Sequence, residues 1–105
     1  MKPARWRPRA RDDRRAALRY YRENAQLGVA GRLVDALERD VGHLQSHPGI
    51  GSPALGTKIG IEGLRAWAVS GFPLVILYFE WDDHLDVVRL LGQRQDIATI
   101  LEDQA

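Results

Sequence analysis

The sequence predicts an α+β protein in which an N-terminal helical hairpin packs on a small antiparallel sheet. Three observations predict it: two segments with helical periodicity come first, a glycine-rich stretch follows, and the second half is rich in β-branched and aromatic residues. The chain has 105 residues, about the size of one domain, so we expect a single domain over residues 1–105. Its 45% hydrophobic and 28% charged residues are typical of a globular protein.

The N-terminal 22 residues are strongly basic. They hold nine Lys and Arg residues against two Asp residues, a net charge of +7, whereas the rest of the chain carries −6. Residues 4–7 predict a possible short N-terminal strand. Residues 9–24 predict a helix with Asp12 and Asp13 in its first turn, where carboxylates favour the positive end of the helix dipole. This basic face could meet an acidic partner or a phosphate backbone, or it could be a solvated helix surface.

The second helix has the clearest pattern. Leu33, Leu37, Val41 and Leu44 recur at helical spacing, and Pro48 ends the helix. Because the join between the two helices is short, they predict a helical hairpin. Residues 46–63 hold five of the ten glycines and two prolines, which predicts a long connecting loop.

The second half of the chain predicts a three-stranded antiparallel meander and a short C-terminal helix. Strand candidates at residues 64–69, 74–81 and 85–91 are separated by short turns, and residues 94–103 predict the helix. The strands carry apolar side chains on both faces, but the hairpin covers only one. We therefore expect a partner on the second face. The alternative is that the long loop and the last helix cover it.

The composition excludes several classes of function. The chain has no cysteine, which excludes disulfides, thiolate nucleophiles and cysteine-based zinc sites. Its longest strongly apolar run, residues 72–79, is far shorter than the roughly 20 residues that cross a bilayer. The basic N-terminus lacks the apolar core of a secretory signal. We expect a cytoplasmic protein with no membrane partner.

Few residues offer metal or cofactor chemistry. His43 and His47 share a helix face but have no third ligand placed by sequence, so we expect no metal. The aspartates near His84 are typical of turns and lack the spacing of a calcium loop: Asp82, Asp83 and Asp86. Neither a phosphate-binding loop nor a nucleophile elbow is present, so we expect no cofactor.

Three arginines in or beside apolar strands are the remaining candidates: Arg65, Arg89 and Arg94. A guanidinium there needs solvent, a carboxylate or a bound anion. Such groups could stabilise the charge that develops when a phosphodiester is cleaved, but cleavage also needs a general base, and only His84 or Tyr78 is conceivable. The alternative is an intramolecular salt bridge, for example with Glu80 or Asp96.

Seven short motifs occur in order along nearly the whole chain: Arg5-Trp6-Arg7, Ala10-x-x-Asp13 ahead of Tyr20-Tyr21, Leu44-x-x-x-Pro48-x-Ile50-Gly51, Leu64-Arg65-x-Trp67-x-Val69, Gly71-Phe72-Pro73 leading to Ile76-x-Tyr78, Leu85-x-Val87-Val88-Arg89-Leu90-Leu91, and Gln93-Arg94-x-Asp96-Ile97. Together they resemble the ParE-type toxins of the RelE/ParE family of bacterial type II toxin–antitoxin systems. Two positions depart from that resemblance: many relatives have histidine in place of Gly92 and arginine in place of Gln95.

The resemblance implies the fold expected above and a cognate antitoxin on the second sheet face. Such antitoxins typically carry a DNA-binding ribbon-helix-helix domain and a tail that folds onto the toxin. ParE-like members resemble non-enzymatic inhibitors of DNA gyrase, and RelE-like members resemble endonucleases that cut mRNA on the ribosome. A non-toxic binding module is a third possibility.

Of these activities we expect gyrase inhibition, and therefore a protein that is not an enzyme. The chain has no tyrosine or histidine after His84 and is less basic than a ribosome-binding nuclease usually is. DNA would then be met only indirectly, through the antitoxin or gyrase.

Two sets of residues are candidates for function. At or near the functional surface we expect Arg65, Arg89, Arg94 and Asp96. On the sheet strands, in contact with the antitoxin, we expect Trp67, Val69, Tyr78, Val87 and Leu91.

Overall fold

Four strands and four α-helices make up the fold in the computed structural model, which describes residues 1–102. In chain order they are β1 (Ala4–Trp6), α1 (Pro8–Asn24), α2 (Val29–Ser46), α3 (Ala54–Ile59), β2 (Arg65–Ala68), β3 (Leu74–Glu80), β4 (Leu85–Gly92) and α4 (Ile97–Glu102), with a 3₁₀ turn at Pro48–Ile50. None of the described helices is both long and apolar enough to span a membrane.

The sheet is mixed rather than wholly antiparallel. Its strand order is β1-β4-β3-β2, and the predicted meander of β2, β3 and β4 is confirmed. The N-terminal strand is also confirmed, but it pairs parallel to β4, from Ala4 beside Leu85 to Trp6 beside Val87. A parallel partner is reached only through a crossover, which here consists of α1, α2, α3, β2 and β3. Local turn signals do not reveal such a pairing.

The helical hairpin is confirmed, with one correction at its start. Because α1 begins at Pro8, a residue pre-organised for the first helical position, Asp12 and Asp13 lie beyond the first turn and do not interact with the helix terminus. Helix α2 buries its predicted stripe against one face of the sheet. The core on this face includes Leu33, Leu37, Val41, Leu44, Ile76, Tyr78 and Val87.

The second face of the sheet is covered by the chain itself, so the expectation of an open apolar face was wrong and its alternative is correct. Leu64, Leu77, Leu91 and Leu101 form a second buried cluster. Residues of α3 and α4 pack against it, namely Leu55, Ile59, Ile97 and Ile100.

The stretch predicted as a long loop contains the 3₁₀ turn and α3. The glycines of this stretch predicted a loop and so hid α3 from the sequence analysis. Gly56 nevertheless lies inside the helix, because close packing leaves no room for a side chain there. A Cβ at this position would come within 2.7 Å of the carbonyl oxygens of Ile61 and Leu64. Gly60 then ends α3 in the left-handed conformation with φ 75°. Helix α4 starts at Ile97 rather than residue 94; Asp103, its predicted end, lies outside the described residues.

Candidate functional site

Arg89 is held by Asp13 of α1, not by Glu80 or Asp96. Its Nε and Nη2 donate to the two Asp13 carboxylate oxygens at 2.6 and 2.9 Å, and only 13% and 14% of the two side chains is exposed. Strand β1 ends beside Val87, so the part of β4 that follows has no neighbouring strand on that side. There the Asp13 carboxylate also accepts a hydrogen bond from the backbone N–H of Leu90, at 3.0 Å. The hydrogen bonds that Arg89 donates to Asp13 raise the pKa of Arg89. This guanidinium is already neutralised.

Arg65 and Tyr78 belong to a second internal network, centred on Gly51. Arg65 Nη1 donates to the Gly51 carbonyl at 2.7 Å, and Gly51 N–H donates to the Tyr78 hydroxyl at 2.9 Å. The hydroxyl donates in turn to the Pro48 carbonyl at 2.7 Å. Burial raises the pKa of Tyr78. A hydroxyl that is fully buried, uncharged and engaged twice is a poor general base.

The other predicted groups lie in exposed turns. His84 Nδ1 is 2.7 Å from Asp83 on the β3–β4 hairpin, and this hydrogen bond lowers the pKa of Asp83. Asp96 accepts from the backbone and hydroxyl of Thr99 at the start of α4, which lowers its pKa. Arg94 is exposed in the turn before Asp96.

The structure does not bring the four predicted surface residues together. Arg65 pairs with Tyr78 across the sheet, whereas Arg94 and Asp96 follow Gly92, which pairs with Leu74 at the other end of β3. Four residues of strand separate these positions, about 13 Å.

Four of the five predicted antitoxin contacts have side chains inside the core of the chain. Tyr78 and Val87 are 0% exposed, and Val69 and Leu91 are 3% exposed. These side chains cannot form a surface contact in this structure. Trp67 is half-buried, and its ring centroid is 5.8 Å from that of His43.

His43 and His47 have ring centroids 5.1 Å apart. Among residues 1–102, no group of three or more His, Cys, Asp or Glu residues could hold a metal ion.

Asp86 is a buried member of β4, which corrects its assignment to a turn. It is 8% exposed and binds Arg7 through two hydrogen bonds, of 3.0 and 2.7 Å. It also accepts from Trp81 Nε1 at 3.0 Å. Phe79 stacks on Trp81, with 5.4 Å between ring centroids, and the Arg7 guanidinium lies 5.8 Å from the centre of the Phe79 ring.

The Asp86 cluster predicts a loss of stability in acid. Burial alone would raise the pKa of Asp86, but the hydrogen bonds from Arg7 and Trp81 outweigh burial and hold it below its usual value. Stabilisation by a carboxylate with a lowered pKa is complete above its unfolded-state pKa of about 3.9 and is lost as the pH falls through the folded-state pKa. In urea melts from pH 6 to pH 3, we expect the stability difference between wild type and Asp86→Asn to shrink below about pH 4. A difference that stays constant over this range would contradict the assignment.

A basic groove lies between β1 and α1, and the sequence did not reveal its shape. We define the arginine groove by Arg5, Arg11, Arg14 and Arg15 around Ala4, Trp6 and Leu18; it measures about 540 Å³. The Arg14 guanidinium lies 5.3 Å from the centre of the Trp6 ring. The net charge of the first 22 residues was the only signal of this groove, since its concavity depends on the pairing of β1 with β4.

Comparison with known proteins gives a match to the ParE toxin of type II toxin–antitoxin systems, parDE, whose family model aligns with residues 4–97. A solved structure described as the chromosomal ParDE TA system from P. aeruginosa has a similar fold, with a TM-score of 0.71. It shares 19% sequence identity, and the match covers 88% of this chain and 96% of that chain. No curated protein matches the sequence.

Proposed function

Because this chain belongs to the ParE toxin family of type II toxin–antitoxin systems, we propose that it inhibits DNA gyrase without cleaving nucleic acid itself, and that a cognate antitoxin neutralises it. The family makes the chain the toxin of such a pair. Gyrase as the target and a non-enzymatic mechanism are the proposed steps.

One observation carries the non-enzymatic reading: the groups that a nuclease of this fold would need are engaged in holding the fold together. Arg89 is neutralised by Asp13, and Arg65 and Tyr78 are bound to the Gly51 segment. His84 is paired with Asp83 in the turn between β3 and β4, beyond the last strand pair, Glu80 with Leu85. Cleavage of RNA needs a base and a stabiliser of developing charge next to the same phosphate. These partners therefore favour inhibition by binding.

The antitoxin that we propose has a ribbon-helix-helix domain and a tail that folds onto the toxin. Of the predicted contacts, Trp67 is the one we retain, because its side chain is partly exposed. The other four are core residues, so a tail would contact the surfaces above them and not their side chains.

The test is plasmid supercoiling by purified gyrase with ATP and the folded, antitoxin-free chain. We expect supercoiling to stop, cleaved DNA to accumulate, and the cognate antitoxin to reverse both effects. No effect on gyrase, together with cleavage of mRNA in a ribosome-dependent translation assay, would establish the endonuclease alternative. No effect in either assay, and no growth arrest on expression, would instead indicate a non-toxic binding module.

A further inference from the structure

The exposed side of α1 is a nearly continuous arginine surface. At about 100° per residue, seven positions fall within an arc of about 140° on the helix. They are Pro8, Arg11, Arg14, Arg15, Leu18, Arg19 and Arg22. The arc contains no carboxylate. Within residues 1–102 it takes part in one ion pair, between Arg15 and Asp12, which lies on the flank of the arc. The two groups are 3.7 Å apart, and both side chains are more than 70% exposed. An exposed pair of this kind neutralises little charge.

The arginines of the groove differ from Arg7 and Arg89, the two arginines that the fold pairs closely with carboxylates. Arg7 and Arg89 each have a carboxylate in bidentate contact, from Asp86 and Asp13 respectively. Arg11 and Arg14, in contrast, point into the open arginine groove without an ion pair to any residue of the described chain. Four guanidinium groups of like charge around one concavity repel each other, and a bound polyanion removes that repulsion.

We propose that the arginine groove and the adjoining face of α1 bind the phosphate backbone of DNA. The inference rests on the proposed function, since a gyrase complex is what presents DNA to the toxin. This proposal of direct DNA contact differs from the expectation, drawn from the sequence, that the chain reaches DNA only through the antitoxin or gyrase. The arginine groove would contribute to trapping by contacting the DNA that gyrase holds.

The spacing of the arginines favours a nucleic acid over an acidic protein segment. Arg11, Arg15 and Arg19 are each four residues apart, a rise of about 6 Å per step along the helix. A regular row of cations fits a ligand whose charges also repeat regularly, as phosphates do along a DNA strand. Each guanidinium fork matches a phosphate bidentately. Because Arg14 already lies over the Trp6 ring, we expect backbone contact without base stacking, and therefore binding that is independent of sequence.

The experiment measures binding of a fluorescein-labelled duplex of mixed sequence to the purified, antitoxin-free chain by anisotropy, over a range of salt concentrations. The affinity of the wild type should fall as the salt concentration rises, and the slope of log K against log salt should be proportional to the number of phosphates contacted. Arg11→Glu with Arg15→Glu should weaken binding about tenfold or more and reduce the slope of log K against log salt by about 2.

The matched control is Arg32→Glu with Lys58→Glu, two exposed residues outside the arginine groove. Both double variants change the net charge from +1 to −3, so a general charge effect would weaken both equally and overturn the proposal. Circular dichroism and thermal melts establish that each is folded. Groove-dependent binding of polyglutamate without binding of the duplex would also overturn it, in favour of an acidic protein partner.

The supercoiling assay on the same samples separates this inference from the proposed function. If wild type inhibits gyrase but does not bind the duplex, the inference fails and the proposed function stands. If the groove binds the duplex but gyrase is unaffected, the proposed function fails and the DNA contact stands. If both hold, Arg11→Glu with Arg15→Glu should reduce the amount of cleaved DNA, and the control pair should not.

Discussion

Replacing Gly51 with alanine is expected to lower the free energy of unfolding by about 3 kcal/mol, equivalent to about 15 °C in melting temperature. The backbone at Gly51 has φ −64° and ψ 149°, which alanine adopts without strain, so the effect is purely steric. A Cβ there would overlap the Tyr78 hydroxyl and lie 2.7 Å from Cε1 of the ring. The ring cannot move aside, because its hydroxyl is bonded both to Gly51 N–H and to the Pro48 carbonyl and its body is fully buried.

Urea and thermal unfolding followed by circular dichroism would measure this loss. Gly49→Ala is the matched control, because a Cβ on Gly49, in the 3₁₀ turn just before Gly51, would meet nothing within 4 Å. The double variant Gly51→Ala with Tyr78→Phe should be less destabilised than the sum of the two single variants, since the hydroxyl that Cβ overlaps is then gone. A melting point for Gly51→Ala equal to that of Gly49→Ala would refute the tight fit.

Hydrophobic periodicity predicted the elements that bury a face of their own. Helix α2, with its apolar stripe, and strand β3, with apolar side chains on both faces, could be predicted from the local sequence. In each case the spacing of apolar residues within the segment is enough to indicate the element. Helix α3 did not, since Gly56 and Gly60 are helix breakers by composition but here serve close packing and helix termination. The parallel pairing of β1 with β4 joins residues about 80 positions apart, and no local pattern encodes it.

The site was harder to predict than the fold, because a charged side chain does not carry the identity of its partner. Arg89 in an apolar strand correctly indicated a need for a carboxylate or an anion, but the carboxylate came from Asp13, 76 residues away. Asp86 was assigned to a turn by its neighbours, yet the alternation of β4 buries it next to Arg7. The arginine row of α1 was visible in the sequence, whereas the concavity that collects its side chains was not.

Replacing Asp13 with alanine is expected to cost about 3 kcal/mol or more, because it leaves the Arg89 guanidinium largely buried with no counter-charge. The backbone N–H of Leu90, on the open edge of β4, loses its acceptor as well. Asp12→Ala is the matched control on the same helix, since Asp12 is 72% exposed and has only a 3.7 Å contact with Arg15. It should change stability by no more than about 0.5 kcal/mol. Equal effects of the two variants in urea melts would rule out a structural role for Asp13.

A double variant separates the structural role of Arg89 from a functional one. In Asp13→Ala with Arg89→Met the unpaired charge is gone and an apolar chain fills the space, so most of the stability lost by Asp13→Ala should return. If the proposed function holds and Arg89 only holds β4 to α1, the folded double variant should match the wild type in the supercoiling assay and in antitoxin binding. If the double variant folds but fails in an assay in which the wild type inhibits gyrase, the Asp13–Arg89 pair has a role at the proposed target beyond stability.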